Sequence, residues 1–222
     1  HRLKESMASY IATQIEADSA SIVNLLDSAE FVSKYGFTTD NVYAAFIPNS
    51  YEIYWNTSAE QFFERMYKEY QKFWTAERVA KAEQIGLSKV EVSVLAAIVD
   101  AEALNDSEMP TIAGLYMNRY KRGIKLQADP TVIYANNDFT IRRVLNRHLR
   151  KDSPYNTYVY KGLPPGPIMM PSINAIDAVL NYKKHNYIYM CAKEDFSGYH
   201  NFAETQAEHL ANARRFQKAL NE

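Results

Sequence analysis

Residues 89–104 read KVEVSVLAAIVDAEAL and contain VLAAIV, the longest aliphatic run of the 222-residue chain. Ser88 and Glu91 stand three residues apart at the start of this stretch, and that spacing predicts a capping box and therefore a helix. The run is far shorter than the ~20 apolar residues that a membrane helix needs. We therefore expect a helix of a globular domain here.

Glu102 lies near the end of this predicted helix and continues its apolar stripe, four residues after Ile98 and seven after Leu95. Asp100 instead follows Ser93 on a smaller and more polar face. A carboxyl at the end of an apolar stripe is partly desolvated, which raises its pKa and suits a general acid. The segment alone leaves an ordinary surface Glu at a helix end as the alternative.

The remaining patterns predict an α+β fold, with helices first and then a mixed region that carries a small β-sheet and long functional loops. Capping boxes at Ser58–Gln61 and Thr205–Glu208 mark two further helix starts, and Gly86 marks a helix end. Residues 46–55 and 125–135 are typical of turning or extended chain. The predicted helices cover residues 2–36, 58–74, 76–85, 110–122, 172–182 and 205 to the C-terminus, and the strands cover 187–192 and 198–203.

Two loops carry polar or rigid residues that could hold a ligand. LQADPTVIY (126–134) groups Gln127, Asp129 and Thr131 around Pro130, which predicts a rigid turn entering a strand. Such side chains can orient sugar hydroxyls, although an ordinary turn would explain Asp129. SPYNTYVYKGLPPGPI (153–168) holds four prolines and three tyrosines, and such a stiff loop suits ligand binding and structural bracing equally well.

Composition and spacing exclude several classes of function. The formal net charge of −1 gives no global field for nucleic acid or anionic membrane, and the basic stretch 142–151 is interpreted as a solvated helical face. The single cysteine, Cys191, permits no internal disulfide and is predicted to be a buried strand thiol. The five histidines show no metal-binding spacing, and there is no glycine-rich phosphate loop. We expect no metal, no cofactor and no nucleic-acid partner.

Four segments in this order resemble the endolytic murein transglycosylase family, also called MltG or YceG-like. They are AAIVDAEA, IAGLYMNRYKRGIKLQADPTVIY, SPYNTYVYKGLPPGPI and GYHNF. The resemblance runs from about residue 46 to the C-terminus. It implies a catalytic domain over residues 46–222, preceded by residues 1–45 as the remnant of, or linker from, a truncated LysM-like region.

The resemblance implies a lytic transglycosylase that cuts the β-1,4 bond between N-acetylmuramic acid and N-acetylglucosamine within a glycan strand. The products would end in 1,6-anhydro-muramyl residues, and Glu102 would be the single general acid/base. Asp100 stands where many members have Glu, and His209 is left out of the site because Leu210 replaces the Asn of a family His-Asn pair. The implied substrate-binding residues are Asn118, Arg119, Gln127, Asp129, Thr131, Tyr155, Asn156, Tyr158, Pro165, Gly166 and His200.

The family layout also implies a location and partners. The sequence opens at His1 without an initiator Met, and we expect it to be cut from a longer protein. That parent would carry a single-pass anchor and hold this domain at the outer face of the cytoplasmic membrane, in contact with peptidoglycan and cell-wall synthases. The main alternative is a non-catalytic peptidoglycan-binding module. A pyridoxal-phosphate enzyme of the aminodeoxychorismate lyase type, a label the family has carried, is less favoured because no Schiff-base lysine context is evident.

Overall fold

The structure is a computed structural model that describes residues 2–221; His1, at which the sequence opens, and Glu222 lie outside the described residues. Within that range the fold is α+β, as predicted, with ten α-helices and one two-stranded antiparallel sheet. The helices are α1 (Lys4–Ile11), α2 (Ser19–Leu26), α3 (Ala29–Ser33), α4 (Ala59–Phe73), α5 (Ala76–Ile85), α6 (Lys89–Glu102), α7 (Met109–Lys121), α8 (Asp129–Asn136), α9 (Ile173–Leu180) and α10 (Gln206–Leu220), and the strands are β1 (Tyr189–Ala192) and β2 (His200–Ala203).

Local sequence signals set most of these boundaries. Ser58, Ser88 and Thr205 each accept a hydrogen bond from the N3 backbone N–H, while the N3 side chain accepts one from the backbone N–H of the cap residue, so all three predicted capping boxes are confirmed. Gly86 ends α5 with φ of 78°, a left-handed conformation that a side chain would strain.

Helix α6 lies at the centre of the core. Every residue from Val92 to Val99 is buried, and the helix packs against α7, α8 and α9. This burial removes the apolar run from water on all sides, and the helix reaches the protein surface only at its two ends. Glu102 is the last residue of α6, so the core itself fixes the position of this side chain.

The N-terminal helices belong to the same hydrophobic core. Met7, Ile22 and Val32 are buried and join the cluster that contains α4 and α6. The predicted domain boundary near residue 46 stays a prediction. None of the helices in residues 2–221 is both long enough and apolar enough to cross a membrane.

The prediction of a turn entering a strand over residues 126–134 is wrong, because residues 126–128 lead into a helix, α8, which begins at Asp129. Pro130 occupies the first turn of α8, where its missing N–H removes no hydrogen bond from the helix. Tertiary contacts then hold this start in place: Ala128 N–H donates to Thr157 Oγ1 at 3.0 Å, and Gln127 N–H donates to the Thr157 carbonyl at 3.2 Å. The local rule for residues before proline does not anticipate these bonds.

The basic stretch 142–151 is also not the predicted helix. It is irregular apart from a single 3₁₀ turn, His148–Arg150. Most of its residues are exposed or partly exposed, so the expectation of a solvated segment is confirmed.

The two predicted strands are confirmed and pair with Cys191 opposite Asn201 and Ala192 opposite His200. The sheet packs against α10. Cys191 is partly exposed, which corrects the expectation of a buried thiol. The sheet and α10 together form the wall of a cleft that faces the end of α6.

Candidate active site

A cleft of about 390 Å³ lies between the end of α6, the start of α8, the sheet and α10. Six of the residues predicted for the site line it: Glu102, Arg119, Gln127, Asp129, Tyr158 and His200. The lining also includes side chains that the sequence did not suggest, among them Tyr116, Tyr189, Cys191 and His209.

Two larger depressions lie elsewhere on the protein, but neither is lined by a buried acidic side chain. One, of about 490 Å³, lies beside α1 and α4, and its lining includes no acidic, basic, His or Cys side chain. The other, of about 750 Å³, contains the carboxylate of Glu52, which is exposed. Volume alone would favour these depressions. A buried carboxyl with hydrogen-bond donors around it favours the cleft at Glu102.

The carboxyl of Glu102 is enclosed by protein on one side and faces the cleft on the other. Burial raises its pKa to about 7, and the nearby Asp129 carboxylate adds to this shift. Two hydrogen bonds act in the opposite direction, one from the Tyr116 hydroxyl to Oε1 at 2.8 Å and one from the backbone N–H of Asp129. The balance leaves a carboxyl that can both give and take a proton near neutral pH.

Asp100 lies outside this cleft. Its Oδ2 accepts a hydrogen bond from the backbone N–H of Ser172 at 2.6 Å, at the N-cap of α9. Two residues along a helix turn the side chain by about 200°, so Asp100 supports the α6–α9 packing while Glu102 reaches the cleft.

The start of α8 presents Gln127 and Asp129 to the cleft. Gln127 has φ of 53°, an uncommon conformation for a side chain that carries a Cβ, and such strain is often found at functional sites. Asp129 is exposed, and its Oδ1 accepts a hydrogen bond from the Tyr158 hydroxyl at 2.7 Å. Burial raises the pKa of Tyr158, and the Asp129 carboxylate raises it further, so the phenol remains a donor.

Arg119 is a structural clamp at the floor of the cleft. Its guanidinium donates to the carbonyls of Lys125 at 2.9 Å and Ile188 at 2.7 Å, and also to Gln127 Oε1. Burial lowers the pKa of this 7% exposed side chain, but it remains a cation. Arg119 therefore ties α7 to the residue that precedes β1 and fixes the amide of Gln127.

One wall of the cleft consists of two stacked rings. The Tyr189 and His209 rings lie 5.2 Å apart with an angle of 17° between their planes, and Arg119 lies over Tyr189 at 5.8 Å. Burial lowers the pKa of His209, with the Arg119 charge as a second cause. The sequence analysis excluded His209, yet the structure places it in the cleft; its position on the face of α10 that meets β1 was visible only once that pairing was known.

Six predicted site residues do not line the cleft. Asn118 donates to the carbonyls of His185 and Tyr187, and Thr131 is fully buried against Thr157, with 2.8 Å between their Oγ1 atoms. Asn156 is buried and binds the carbonyls of Leu149 and Lys151. The other three are Tyr155, Pro165 and Gly166.

The proline-rich loop acts as a brace. Tyr155 lies against Tyr134 and donates to the Asp40 carbonyl at 3.4 Å, while a side chain at Gly166 would collide with the Asp40 backbone. These contacts join the loop to the N-terminal part of the chain. Its stiffness therefore supports the fold behind the cleft.

No group of three or more His, Cys, Asp or Glu side chains in the described part of the chain is arranged to hold a metal ion. The chemistry available in the cleft comes from Glu102, Asp129, the tyrosines and the two imidazoles.

The fold and the cleft define an α+β domain that presents one buried, protonatable carboxyl in an open polar cleft, a site suited to general acid–base catalysis. Residues 2–215 match the family model described as the YceG-like family, and the chain belongs to that family. The resemblance drawn from the four sequence segments is thus confirmed.

Two curated relatives agree with this family membership. The chain is 36% identical over 141 residues to the endolytic murein transglycosylase of Bacillus subtilis (strain 168), a match that covers 61% of this chain and 38% of that relative. It is 30% identical over 126 residues to the endolytic murein transglycosylase of Streptococcus pneumoniae (strain D39), covering 55% of this chain and 23% of that relative. The matches thus span well under half of these relatives.

A solved structure shows the same fold. The crystal structure of a YceG-like protein from Listeria monocytogenes superposes with a TM-score of 0.80 at 28% identity, and the match covers 93% of this chain and 72% of that one. The likeness therefore extends over nearly the whole chain.

Proposed function

We propose that this protein cleaves the β-1,4 bond between N-acetylmuramic acid and N-acetylglucosamine inside peptidoglycan glycan strands, without adding water. The observation that carries the proposal is the Glu102 carboxyl, which has a pKa of about 7 and faces a polar cleft. Membership of the YceG-like family and the likeness to two proteins named endolytic murein transglycosylases support the substrate class.

In the first half of the reaction Glu102 is the acid. Its proton passes to the glycosidic oxygen, which leaves with the N-acetylglucosamine part of the strand as a free 4-hydroxyl group. The C1 atom of the muramyl residue becomes oxocarbenium-like, and the acetamido group of the substrate stabilises it. Burial keeps a large fraction of Glu102 protonated near neutrality, which this step requires.

In the second half Glu102 is the base. Its carboxylate takes the proton of the muramyl 6-hydroxyl as that oxygen bonds to C1, which closes a 1,6-anhydro ring. Tyr116, 2.8 Å from Oε1, stabilises the carboxylate between the two steps. Glu102 ends protonated, no water is consumed, and one carboxyl serves where a hydrolase usually needs two.

Asp129 assists by charge. Its carboxylate raises the pKa of Glu102, while its own Oδ1 is held by Tyr158 at 2.7 Å. That hydrogen bond keeps Asp129 turned towards Tyr158. We therefore assign Asp129 to tuning Glu102, and not to nucleophilic attack.

The chemical form of the cleaved strand ends tests the proposal. Purified protein is incubated with uncrosslinked glycan strands in water enriched in ¹⁸O, and the muropeptides are analysed by mass spectrometry, with Glu102→Gln as the matched control. We expect 1,6-anhydro-muramyl ends without ¹⁸O, formed about 10²–10⁴-fold more slowly by the control. Reducing ends that carry ¹⁸O would show hydrolysis and contradict the mechanism.

Two further outcomes correspond to the other functions considered. Strands that bind but stay intact would indicate a non-catalytic peptidoglycan-binding module. Cofactor absorbance in the purified protein would indicate a pyridoxal-phosphate enzyme. Either result, with a folded protein, would overturn the proposal.

We also propose that the full-length parent is anchored by one N-terminal membrane helix and holds this domain at the outer face of the cytoplasmic membrane, beside cell-wall synthases. The polymer that the enzyme would cut lies there. A parent gene with no apolar stretch of roughly twenty residues upstream would contradict the anchor.

A further inference from the structure

We propose that Glu108 is a positioning residue that holds the His200 imidazole with its proton on Nδ1, so that His200 Nε2 accepts a hydrogen bond from a hydroxyl group of the glycan. The inference rests on the proposed function in one respect, namely that the ligand of the cleft is a glycan. The inference adds a hydrogen-bond acceptor, His200 Nε2, whose orientation depends on the Glu108 carboxylate outside the cleft.

Both oxygen atoms of Glu108 are directed to one residue. Glu108 ends the 3₁₀ turn Asp106–Glu108 and is only 8% exposed. Its Oε1 accepts the backbone N–H of His200 at 3.0 Å, and its Oε2 lies 3.0 Å from His200 Nδ1. A buried carboxylate is costly unless its oxygens are hydrogen-bonded, and here both are used to fix the backbone and the ring of His200.

This geometry selects one tautomer of the ring. An ionised carboxylate accepts hydrogen bonds and cannot donate one, so Nδ1 must carry the proton. A neutral imidazole with its proton on Nδ1 has a lone pair on Nε2. Carboxylate–histidine pairs fix the tautomer and the direction of the ring in the same way at other functional sites.

The free nitrogen belongs to a ring that lines the cleft. His200 is partly exposed there, in the cleft that Glu102 also lines, and no group in residues 2–221 hydrogen bonds to its Nε2. His200 is the first residue of β2, where it is paired with Ala192, and Glu108 holds its backbone N–H. A rigid acceptor in an open cleft suits a sugar hydroxyl, which is a donor.

The other histidine of the cleft provides the comparison. His209 stacks on Tyr189, and its Nδ1 is buried without a hydrogen-bond partner among the described residues. No carboxylate selects its tautomer. A His209→Gln variant therefore alters the same cleft without touching the Glu108–His200 pair.

The first measurement needs no variant. Long-range ¹H–¹⁵N spectra of the labelled protein, at about pH 8.5 where an ordinary imidazole is neutral, report which nitrogen carries the proton. We expect a protonated Nδ1 and an unprotonated Nε2 at His200. A proton on Nε2 would overturn the proposal.

The second measurement uses Glu108→Gln, which keeps the shape of the side chain. The Gln oxygen can still accept the backbone N–H of His200, while its NH₂ group donates to Nδ1 and moves the imidazole proton to Nε2. We expect the variant to fold, with the tautomer of His200 reversed and that of His209 unchanged. An unreversed His200 tautomer in the folded variant would count against the assignment.

The third measurement separates positioning from mere support of the fold. Uncrosslinked glycan strands are titrated into Glu102→Gln protein, which binds without cutting, and the ¹⁵N shift of His200 Nε2 is followed. We expect that resonance to move on binding, and we expect Glu108→Gln in the same background to bind about tenfold more weakly, as the loss of one hydrogen bond predicts. The His209→Gln control should keep the Nε2 shift.

The outcomes distinguish this inference from the proposed function. If glycan binding shifts the ¹⁵N resonance of His200 Nε2 but wild-type protein forms no anhydro-ended product, the role of the Glu108–His200 pair is supported and the proposed reaction is contradicted. Product formation with an unmoved Nε2, or with equal binding by Glu108→Gln, would leave the reaction standing and overturn the role of Glu108.

Discussion

The Tyr116 hydroxyl donates a hydrogen bond to Glu102 Oε1 across 2.8 Å, and this bond opposes the effect of burial on the carboxyl. Burial raises the pKa of Tyr116 well above its ordinary value, so the phenol stays protonated and remains a donor. The hydrogen bond stabilises the carboxylate form of Glu102, whereas the nearby Asp129 charge stabilises the protonated form. The two neighbours therefore set the pKa of Glu102 from opposite directions.

Variants of these two neighbours should shift the pH dependence of cleavage in opposite directions. Tyr116→Phe removes a donor to the carboxylate, so it should raise the pKa of Glu102 above about 7. Asp129→Asn removes the repelling charge but keeps the backbone N–H, so it should lower that pKa. Because the first step needs protonated Glu102, the high-pH limb of kcat/KM should move up in the first variant and down in the second. The measurement is the rate of anhydro-end formation across pH. A high-pH limb that moves in the same direction in both variants would contradict this account.

Glu102→Gln and Asp100→Asn test which carboxylate carries the chemistry. The first keeps the shape of the side chain and removes the transferable proton, so we expect a loss of about 10²–10⁴-fold in rate. Asp100 accepts the Ser172 backbone N–H at 2.6 Å, and Asn can accept it too. Asp100→Asn should therefore retain most activity and lose at most about 1 kcal/mol of stability.

Initial cleavage rates and urea unfolding, measured on both variants, decide between the two carboxylates. An inactive but folded Asp100→Asn beside a nearly wild-type Glu102→Gln would reverse the assignment.

The central helix and its carboxyl could be predicted from sequence because their signals are local. The start of α6 is marked by the capping box of Ser88 and Glu91. The spacing of Leu95, Ile98 and Glu102 places the carboxyl in line with buried residues at the end of the helix. Helical periodicity and caps act over a few residues, so one chain suffices to detect them. The same holds for the paired strands and for the end of α5 at Gly86.

The rest of the cleft depends on contacts between distant parts of the chain. Glu108 and His200 are 92 residues apart, and Tyr189 meets His209 only because α10 packs on β1. The start of α8 is held by Thr157, 29 residues beyond Ala128. No local pattern encodes such pairings, so the sequence predicts neither the Glu108–His200 pair nor the place of His209 in the cleft, nor that Asn156 is buried away from it.

Arg119→Lys should lower the stability of the fold, because Arg119 holds the floor of the cleft together. Arg119 donates to two carbonyls and to Gln127, and a lysine cannot reproduce this fork. Losing about two hydrogen bonds in a buried setting should lower the free energy of unfolding by about 2–4 kcal/mol, as urea unfolding would measure. Arg122→Lys, an exposed position next to the end of the same helix, is the matched control and should stay within about 0.5 kcal/mol. Equal stability of the two variants would show that the hydrogen bonds of Arg119 do not contribute to the free energy of unfolding.

The raised pKa of Glu102 also predicts how stability varies with pH. Glu102 has a pKa of about 7 in the folded protein, whereas a Glu in the unfolded chain has its ordinary pKa of 4.5. Between these values the folded state binds more protons than the unfolded state, so the contribution of Glu102 is fully present below about pH 4.5 and is lost as pH rises to about 7. The loss amounts to at most about 3 kcal/mol. Glu102→Gln cannot lose a proton, so its free energy of unfolding should exceed that of wild type by a growing margin from acidic to neutral pH. Taking the difference between the two proteins at each pH cancels the other titrating groups, and a difference that stays constant across this range would contradict a buried, protonated Glu102.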